Sequence, residues 1–271
     1  VLEIDNLHTY FFTDVGAVHS VDGISFNIPV GKTVGVVGES GCGKSMTAKS
    51  ILRLHNPQRS RMRGSIRFEG KELLTLSNRE IEKMRGTDIS MIFQEPMTSL
   101  NPVFTVSRQI SEPLMIHQGM SKKQAAAKAV ELLSDVKIPN PEVVAKQYPH
   151  QLSGGMRQRV MIAMALACKP KLLIADEPTT ALDVTIQAQI LDLLREVQQR
   201  LGTATVFVTH DLGVVARVAD RVAVFQDGTV VEETATASFA DPSLLRHPFT
   251  RQLWHALPEH DFAVGENAGG K

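Results

Sequence analysis

A glycine-rich segment that carries a lysine and a serine is the part of the sequence that most clearly predicts chemistry. Residues 38–45 read GESGCGKS, follow an apolar run and precede a segment that suits a helix. This order is typical of a phosphate-binding loop, in which backbone N–H groups and the helix N-terminus bind phosphate oxygens. Lys44 would contact the β- and γ-phosphates, and the hydroxyl of Ser45 would ligate Mg²⁺. The sequence therefore predicts nucleotide binding, with contacts from Gly38, Ser40, Gly41, Cys42, Gly43, Lys44, Ser45 and Met46.

Polar side chains follow three further apolar runs, and open α/β sheets bind ligands at the carboxyl ends of their strands. Asp176 would hold Mg²⁺ through water, and Glu177 would accept a proton from the attacking water or orient it. The amide of Gln94 could reach both Mg²⁺ and this water. A neutral imidazole at His210 could bond the γ-phosphate or the water. Each residue alone is also an ordinary polar strand end, but together with the phosphate loop they predict nucleotide hydrolysis.

A second anion-binding pattern lies at residues 152–156, which read LSGGM. Ser153 is a good helix N-cap, and Gly154 and Gly155 would expose backbone N–H groups at the helix start. The plain alternative is a capped helix with a flexible entry. Because one phosphate loop already provides a complete nest, a second phosphate-type site suggests that a nucleotide is shared across a dimer.

The composition limits the classes of protein that could carry these residues. The chain has 271 residues, enough for a substantial core, and its 29 basic side chains balance 29 acidic ones. We therefore expect no nucleic-acid partner. The two cysteines, Cys42 and Cys168, have no metal-type spacing and indicate a reduced, intracellular setting. No run approaches the roughly 20 apolar residues of a membrane helix, and we expect no signal peptide.

Alternating strands and helices around the phosphate loop predict an α/β fold with a mostly parallel sheet. Residues 2–4, 18–21 and 24–28 are interpreted as short N-terminal strands, with residues 10–12 in a loop between them. The apolar run at 89–93 suits a buried parallel strand, and two later runs continue the core. Asp227-Gly228 predicts a hairpin.

Residues 103–168 have a different character and are interpreted as a helical lobe inserted into the α/β core. Ser121 and Gln124 predict a capping box before an alanine-rich helix. Ser77 is placed to cap an earlier helix, and the proline-bounded segment 95–102 is expected to be a loop. The domain is expected to span residues 1–257, and residues 258–271 are expected to be disordered.

The order of these motifs resembles that of ATP-binding cassette (ABC) ATPases over essentially the whole chain. The motifs are GESGCGKS, Gln94, LSGGM with Gln158, LLIADEP at 172–178, the turn at 181–183 and His210. The resemblance implies a P-loop NTPase core with a parallel sheet, an N-terminal antiparallel β subdomain and an inserted helical subdomain. It also implies that the chain hydrolyses ATP with Mg²⁺.

The resemblance further implies a head-to-tail dimer of two cassettes, identical or different, that closes on two ATP molecules. Each ATP would lie between the phosphate loop of one chain and Ser153, Gly154 and Gly155 of the other. Asp183 resembles the aspartate that communicates across this dimer. One aromatic residue before the phosphate loop usually stacks on adenine in the family, and Phe11 fits that position best, with Tyr10 second.

Residues 94–102, QEPMTSLNP, and 247–253, HPFTRQL, are similar to the ATP-binding subunits of oligopeptide, dipeptide and nickel importers. This similarity implies a peripheral subunit on the cytoplasmic face of the inner membrane, with two membrane permease subunits docked near residues 95–102. An extracytoplasmic solute-binding protein would act indirectly. Members often carry an iron–sulfur cluster on later cysteines, which we do not expect here because no cysteine follows Cys168. Peptide, nickel or another small solute all remain open as cargo.

Two other classes of protein are weaker interpretations. A soluble ABC mechanoenzyme of DNA repair or translation would favour a coiled-coil insertion or two cassettes in one chain, and the sequence has neither. A P-loop kinase or GTPase would not explain LSGGM, and the chain lacks an Asn-Lys-x-Asp segment.

Overall fold

The computed structural model describes residues 1–14, 16–180 and 182–257. The chain divides into two compact units, of which the first comprises residues 1–75 with 206–257 and the second comprises residues 76–205. The boundary near residue 205 falls inside one strand, Ala204–Val208. No described helix has the combination of length and apolar character that crossing a bilayer requires.

The first unit contains an antiparallel sheet and the strands that carry the phosphate loop. Its strands are β1 (Leu2–Thr13), β2 (Gly16–Ile28), β3 (Thr33–Gly38), β4 (Ser60–Phe68) and β5 (Lys71–Glu72), followed after the second unit by β9 (Arg221–Gln226) and β10 (Thr229–Ala235). The antiparallel sheet has the order β2-β1-β4-β5. Beside it, β3 pairs with β9 in parallel, and β9 pairs with β10 through a hairpin. The predicted hairpin is thus confirmed, with φ of 48° at Asp227 and 81° at Gly228.

The helices of the first unit are short and flank these strands. They are α1 (Lys44–Ile51), α9 (Leu212–Val218) and α10 (Pro248–His255), with 3₁₀ turns at Thr236–Ala240 and Pro242–Leu244. The helix α9 packs closely on β3, where a Cβ at Gly35 would lie 2.2 Å from a methyl group of Val215. This close approach requires glycine in the strand that leads to the phosphate loop.

The second unit is mainly helical and holds two parallel strands. In chain order its elements are α2 (Asn78–Met84), β6 (Ile89–Ile92), α3 (Pro96–Ser99), α4 (Val106–Gln118), α5 (Lys122–Asp135), α6 (Pro141–Val144), α7 (Gly154–Leu166), β7 (Leu172–Asp176) and α8 (Val184–Leu201), and the strand shared with the first unit is β8. Strand β6 pairs with β7 in parallel, from Ile89↔Leu172 to Ile92↔Ala175. All described residues of both strands are buried, as the apolar runs predict.

Helix caps in the second unit follow the sequence closely. Ser77 and Glu80 form a reciprocal capping box at the start of α2, and Ser121 and Gln124 form another at the start of α5. Gly202 ends α8 in the left-handed conformation. The predicted N-caps at Ser77 and Ser121 are therefore confirmed. The predicted α/β class, with parallel core strands and an antiparallel N-terminal sheet, is confirmed as well.

Two local expectations are wrong. Residues 10–12 lie inside β1 rather than in a loop, because β1 pairs along its length with both β2 and β4 and accommodates irregularities as β-bulges. Segment 95–102 is not all loop, since Pro96 takes the first position of α3, where its missing N–H costs nothing. The expected disorder of 258–271 lies outside the described residues.

Candidate active site

The phosphate loop lies between β3 and α1, and its glycines are required by close approach of the backbone. A Cβ at Gly38 (φ 155°) would lie 2.2 Å from the carbonyl oxygen of Phe225, and one at Gly43 (φ 100°) would lie 2.2 Å from that of Ser20. No side chain fits either position without moving backbone. Gly43 caps α1, so the helix begins at Lys44. The strand, turn and helix predicted from the sequence are all present.

The side chain of Lys44 is folded back into this loop and is only 4% exposed. Its ammonium donates hydrogen bonds to the carbonyl oxygens of Gly38 at 2.8 Å and Glu39 at 2.7 Å, and lies 3.8 Å from Sγ of Cys42. An ammonium has three donors, so the weak sulfur contact is the one that a phosphate oxygen can replace without disturbing the carbonyl bonds. The loop thus holds a buried cation in a cradle that only glycine permits.

The remaining loop residues surround this cation. Ser40 and Gly41 are exposed, whereas Ser45 and Met46 are half-buried in the first turn of α1. Cys42 is buried, and burial raises the pKa of its thiol although the neighbouring Lys44 ammonium opposes the shift. Because the thiol stays protonated at neutral pH, Cys42 acts here as a small packing residue rather than a nucleophile.

The two candidate aromatics lie on opposite faces of β1. Phe11 makes an edge-to-face contact with His55, at 5.0 Å between ring centroids. His55 in turn lies 3.1 Å from the carbonyl oxygen of Met46 in α1, so Phe11 is on the side of the sheet that faces the phosphate-loop helix. Tyr10 instead contacts His8 and His19 on the other face. Phe11, and not Tyr10, therefore lies on the face of β1 that is directed at α1.

A buried polar cluster fixes this side of the sheet against α1. The hydroxyls of Thr9 and Ser50 are 2.9 Å apart, and Ser50 also lies 3.0 Å from Nε2 of His55. Burial is the main cause that lowers the pKa of His55, and the charge of Lys49 lowers it further, against a hydrogen bond to Met46. The neutral imidazole is therefore favoured, and it connects the aromatic face to the helix.

His210 follows β8 in the first unit and is exposed. The preceding residue, Thr209, donates its backbone N–H to the carbonyl oxygen of Val36 in β3, two residues before Gly38. The following residue, Asp211, caps α9 by accepting from the N–H groups of Gly213 and Val214. His210 thus lies in a short turn after a strand that is hydrogen-bonded to β3. The bond of Thr209 fixes the turn before His210, and the cap formed by Asp211 fixes it after.

In the second unit, three polar residues meet after β6 and β7. Nε2 of Gln94 and Oγ1 of Thr180 each donate to the same oxygen, Oε2, of Glu177 at 2.9 Å. The parallel pairing of β6 and β7 brings Gln94 and Glu177 to one edge. Asp176 ends β7 and is 2% exposed. Gln94 and Glu177 are therefore hydrogen-bonded, as expected for residues that follow neighbouring parallel strands, and Thr180 is a third member of this cluster that the sequence did not predict.

The LSGGM segment opens α7 beside the start of α8. Ser153 caps α7 by accepting from the N–H of Met156, and Asp183 caps α8 by accepting from the N–H of Ile186. A Cβ at Gly155 would lie 2.8 Å from Cγ2 of Ile186, so the two helix starts are in contact at this point. Ser153, Gly154 and Asp183 are exposed.

Sequence reasoning missed three residues that support the site, namely Thr180, His55 and Ile186. Each acts through a partner that is remote in sequence or depends on the shape of a turn. Thr180 offered a local signal, because the proline between it and Glu177 predicts a turn that brings the two residues together.

The buried lysine, the glycine cradle and the helix start define this chain as a P-loop nucleotide-binding protein. A family model described as "ABC transporter" matches residues 21–180, more than half of the chain. The chain therefore belongs to the ABC transporter family, and it is an ATPase that binds and hydrolyses ATP.

Individual relatives agree with this assignment. The chain is 51% identical over 261 residues to the probable peptide ABC transporter ATP-binding protein y4tR of Sinorhizobium fredii, covering 96% of this chain and 77% of the relative. It is 52% identical over 268 residues to the dipeptide transport ATP-binding protein DppD of Bacillus subtilis, covering 98% and 79%. The solved dimer of the ATP-binding cassette MJ0796 with ADP and Pi is 29% identical, with a TM-score of 0.78 over 87% of this chain and 99% of that one.

Proposed function

We propose that this chain is the ATP-hydrolysing subunit of a membrane importer for di- or oligopeptides. The observation that carries this proposal is the identity of about half of all residues, across nearly the whole chain, to ATP-binding proteins named for peptide transport. Nickel or another small solute is the alternative cargo within the same subfamily.

Within one chain, the phosphate loop is the group that binds the triphosphate. Lys44, whose ammonium is oriented by the carbonyl oxygens of Gly38 and Glu39, supplies the positive charge for the β- and γ-phosphates. Backbone N–H groups of the loop and of the α1 start provide the remaining anion contacts. Phe11 stacks on adenine from the α1 side of the antiparallel sheet, which is supported by its contact with His55.

Glu177 accepts a proton from the attacking water or orients it, and Gln94 and His210 position the water and the γ-phosphate. Support for Glu177 comes from the two hydrogen bonds that hold its carboxylate. Ser45, Gln94 and Asp176 offer a hydroxyl, an amide oxygen and a carboxylate, which are the hard oxygen ligands that Mg²⁺ prefers. When bound, the ion would neutralise charge that develops on the phosphates.

Two copies, or this chain and a related cassette, would form the working unit. Ser153 and Gly154 are exposed at the start of α7, followed by the half-buried Gly155, and a helix start of this kind suits contact with the γ-phosphate held by the partner subunit. Asp183 would transmit the state of one site to the other through α8. ATP favours the closed dimer because it adds contacts that the open state lacks, and hydrolysis releases them.

The dimer would bind two membrane permease subunits, with their cytoplasmic helices near residues 95–102, at the cytoplasmic face of the inner membrane. An extracytoplasmic solute-binding protein would deliver the peptide to the permeases.

The experiment is reconstitution of the chain with its membrane subunits and solute-binding protein in proteoliposomes. We expect ATP hydrolysis to increase when di- or oligopeptide is added and peptide to accumulate with ATP. If Ni²⁺ and not peptide stimulates ATP hydrolysis, the transported solute is nickel and not a peptide. Full ATPase activity without any membrane protein would favour a soluble mechanoenzyme.

A further inference from the structure

Glu177 begins a four-residue turn that ends at Thr180, and two hydrogen bonds connect these residues. The backbone N–H of Thr180 donates to the carbonyl oxygen of Glu177 at 3.2 Å, and its hydroxyl donates to Oε2 of the same residue at 2.9 Å. Pro178 occupies the second position of the turn, where its fixed φ is favourable. The backbone bond and the proline already define the turn, so the hydroxyl bond acts on the glutamate side chain.

We propose that Thr180 is a positioning residue that holds the Glu177 carboxylate in place for ATP hydrolysis. A free glutamate side chain has three rotatable bonds, and fixing such a chain costs conformational entropy. The threonine hydroxyl fixes the carboxylate before the nucleotide arrives, so that less freedom is lost in the reacting complex. This inference rests on the proposed role of Glu177.

Gln94 donates to the same oxygen, but its contribution differs from that of Thr180. Gln94 lies 83 residues earlier in the chain, after β6, so its bond depends on two separate segments. Thr180 lies inside the same turn as Glu177, so its bond requires only that turn and no second segment of the chain. If the Gln94 amide turns toward Mg²⁺ and water, as proposed above, Thr180 still donates to Oε2.

The decisive variant is Thr180→Val, which keeps the shape and the backbone N–H but removes the hydroxyl. Thr180 is exposed, so the change creates no buried cavity. We expect kcat for ATP hydrolysis by the full chain to fall about tenfold, which corresponds to one hydrogen bond to a charged group. The KM for ATP and the dissociation constant for ATP, the latter measured without Mg²⁺, should stay within about twofold. The reason is that the hydroxyl bonds to Glu177 and is not proposed to bind ATP.

Two further variants distinguish positioning from stability. Thr180→Ser restores the hydroxyl and should recover kcat to within about twofold of the wild type. Thr87→Val is the matched control, because it also removes a hydroxyl hydrogen bond in the second unit, to the carbonyl oxygen of Lys83, away from Glu177. Thermal unfolding of all three variants checks that they are folded, and Thr180→Ala replaces Thr180→Val if the latter is not.

The proposal is overturned if Thr180→Val or Thr180→Ala keeps wild-type kcat, if Thr180→Ser is as slow as Thr180→Val, or if Thr87→Val is equally slow. A parallel measurement of Glu177→Gln separates this result from failure of the proposed function. Full ATP turnover by the Glu177→Gln variant would show that Glu177 is not catalytic. Loss of turnover in Glu177→Gln together with a wild-type kcat in Thr180→Val would refute only the role of Thr180.

Discussion

The ammonium of Lys44 lies 2.8 Å from the carbonyl oxygen of Gly38, at the other end of the same loop. This bond, with its neighbour to Glu39, fixes the direction of the ammonium within the loop. The protein thus pays the desolvation of a 4% exposed lysine during folding, when two carbonyl oxygens compensate it. A phosphate that binds in the loop therefore contacts a Lys44 ammonium that is already desolvated and oriented by the two carbonyl oxygens.

Lys44→Ala should weaken ATP binding by about 10- to 100-fold, since one hydrogen bond to a charged group contributes roughly 1.5–3 kcal/mol. Turnover should fall to background. Titration calorimetry with ATP and a phosphate-release assay measure both effects. Lys49→Ala is the control, because it removes the same charge from the last turn of the same helix. Equal binding by Lys44→Ala and wild type would contradict the role of the loop.

Phe11→Ala should weaken ATP binding by about 5- to 100-fold, the equivalent of roughly 1–3 kcal/mol of base stacking. Tyr10→Ala is the control from the neighbouring position and should change the dissociation constant less than twofold, because Tyr10 is on the opposite face of β1. Phe11→Tyr should keep near-normal binding. A larger loss in Tyr10→Ala than in Phe11→Ala would reverse the assignment.

The local parts of the site could be predicted from the sequence because local geometry determines them. A phosphate loop needs glycine where the backbone meets Phe225 and Ser20, and that requirement is visible as a spacing. The caps at Ser77 and Ser121 are likewise set by residues three positions apart. The sequence patterns and the structure agree wherever the interacting residues are close along the chain.

The parts that could not be predicted depend on register or on remote partners. The family resemblance ranks Phe11 above Tyr10, but strand alternation could not, because an irregularity between Thr9 and Tyr10 obscures which of the two faces α1. The contact of Gly155 with Ile186 joins two helix starts about 30 residues apart. Neither relationship leaves a periodic trace in the sequence.

Gly155→Ala should destabilise the second unit by about 1–3 kcal/mol, because the new Cβ would lie 2.8 Å from Cγ2 of Ile186. Gly154→Ala is the control, since its Cβ would meet only Leu182 at 3.8 Å, an ordinary contact. Chemical denaturation measures both. The double variant Gly155→Ala/Ile186→Ala removes the clashing methyl group and should be more stable than the sum of the two single changes predicts.

Acidification should destabilise the first unit through His55, whose pKa is lowered chiefly by burial. The unfolded chain has an ordinary histidine pKa of about 6.5, so it binds the proton first as the pH falls. Stability is therefore complete above about pH 7 and is lost as the pH drops from 6.5 toward the lower folded pKa. His55→Gln should lose less free energy of unfolding between pH 7 and pH 5 than the wild type. An identical pH dependence in both proteins would exclude this contribution.

Glu177→Gln should bind ATP normally but lose turnover by about 100- to 10,000-fold, the range that a general base contributes. Because ATP is then not consumed, the closed dimer should accumulate, and size-exclusion chromatography with ATP and Mg²⁺ should show it. The neutral amide keeps the size of the side chain and can still accept from Gln94 and Thr180, so the turn should stay intact. Glu82→Gln, an exposed change in α2, is the control and should remain active and mainly monomeric after hydrolysis. A monomeric Glu177→Gln chain with unimpaired turnover would show that the proton acceptor lies elsewhere.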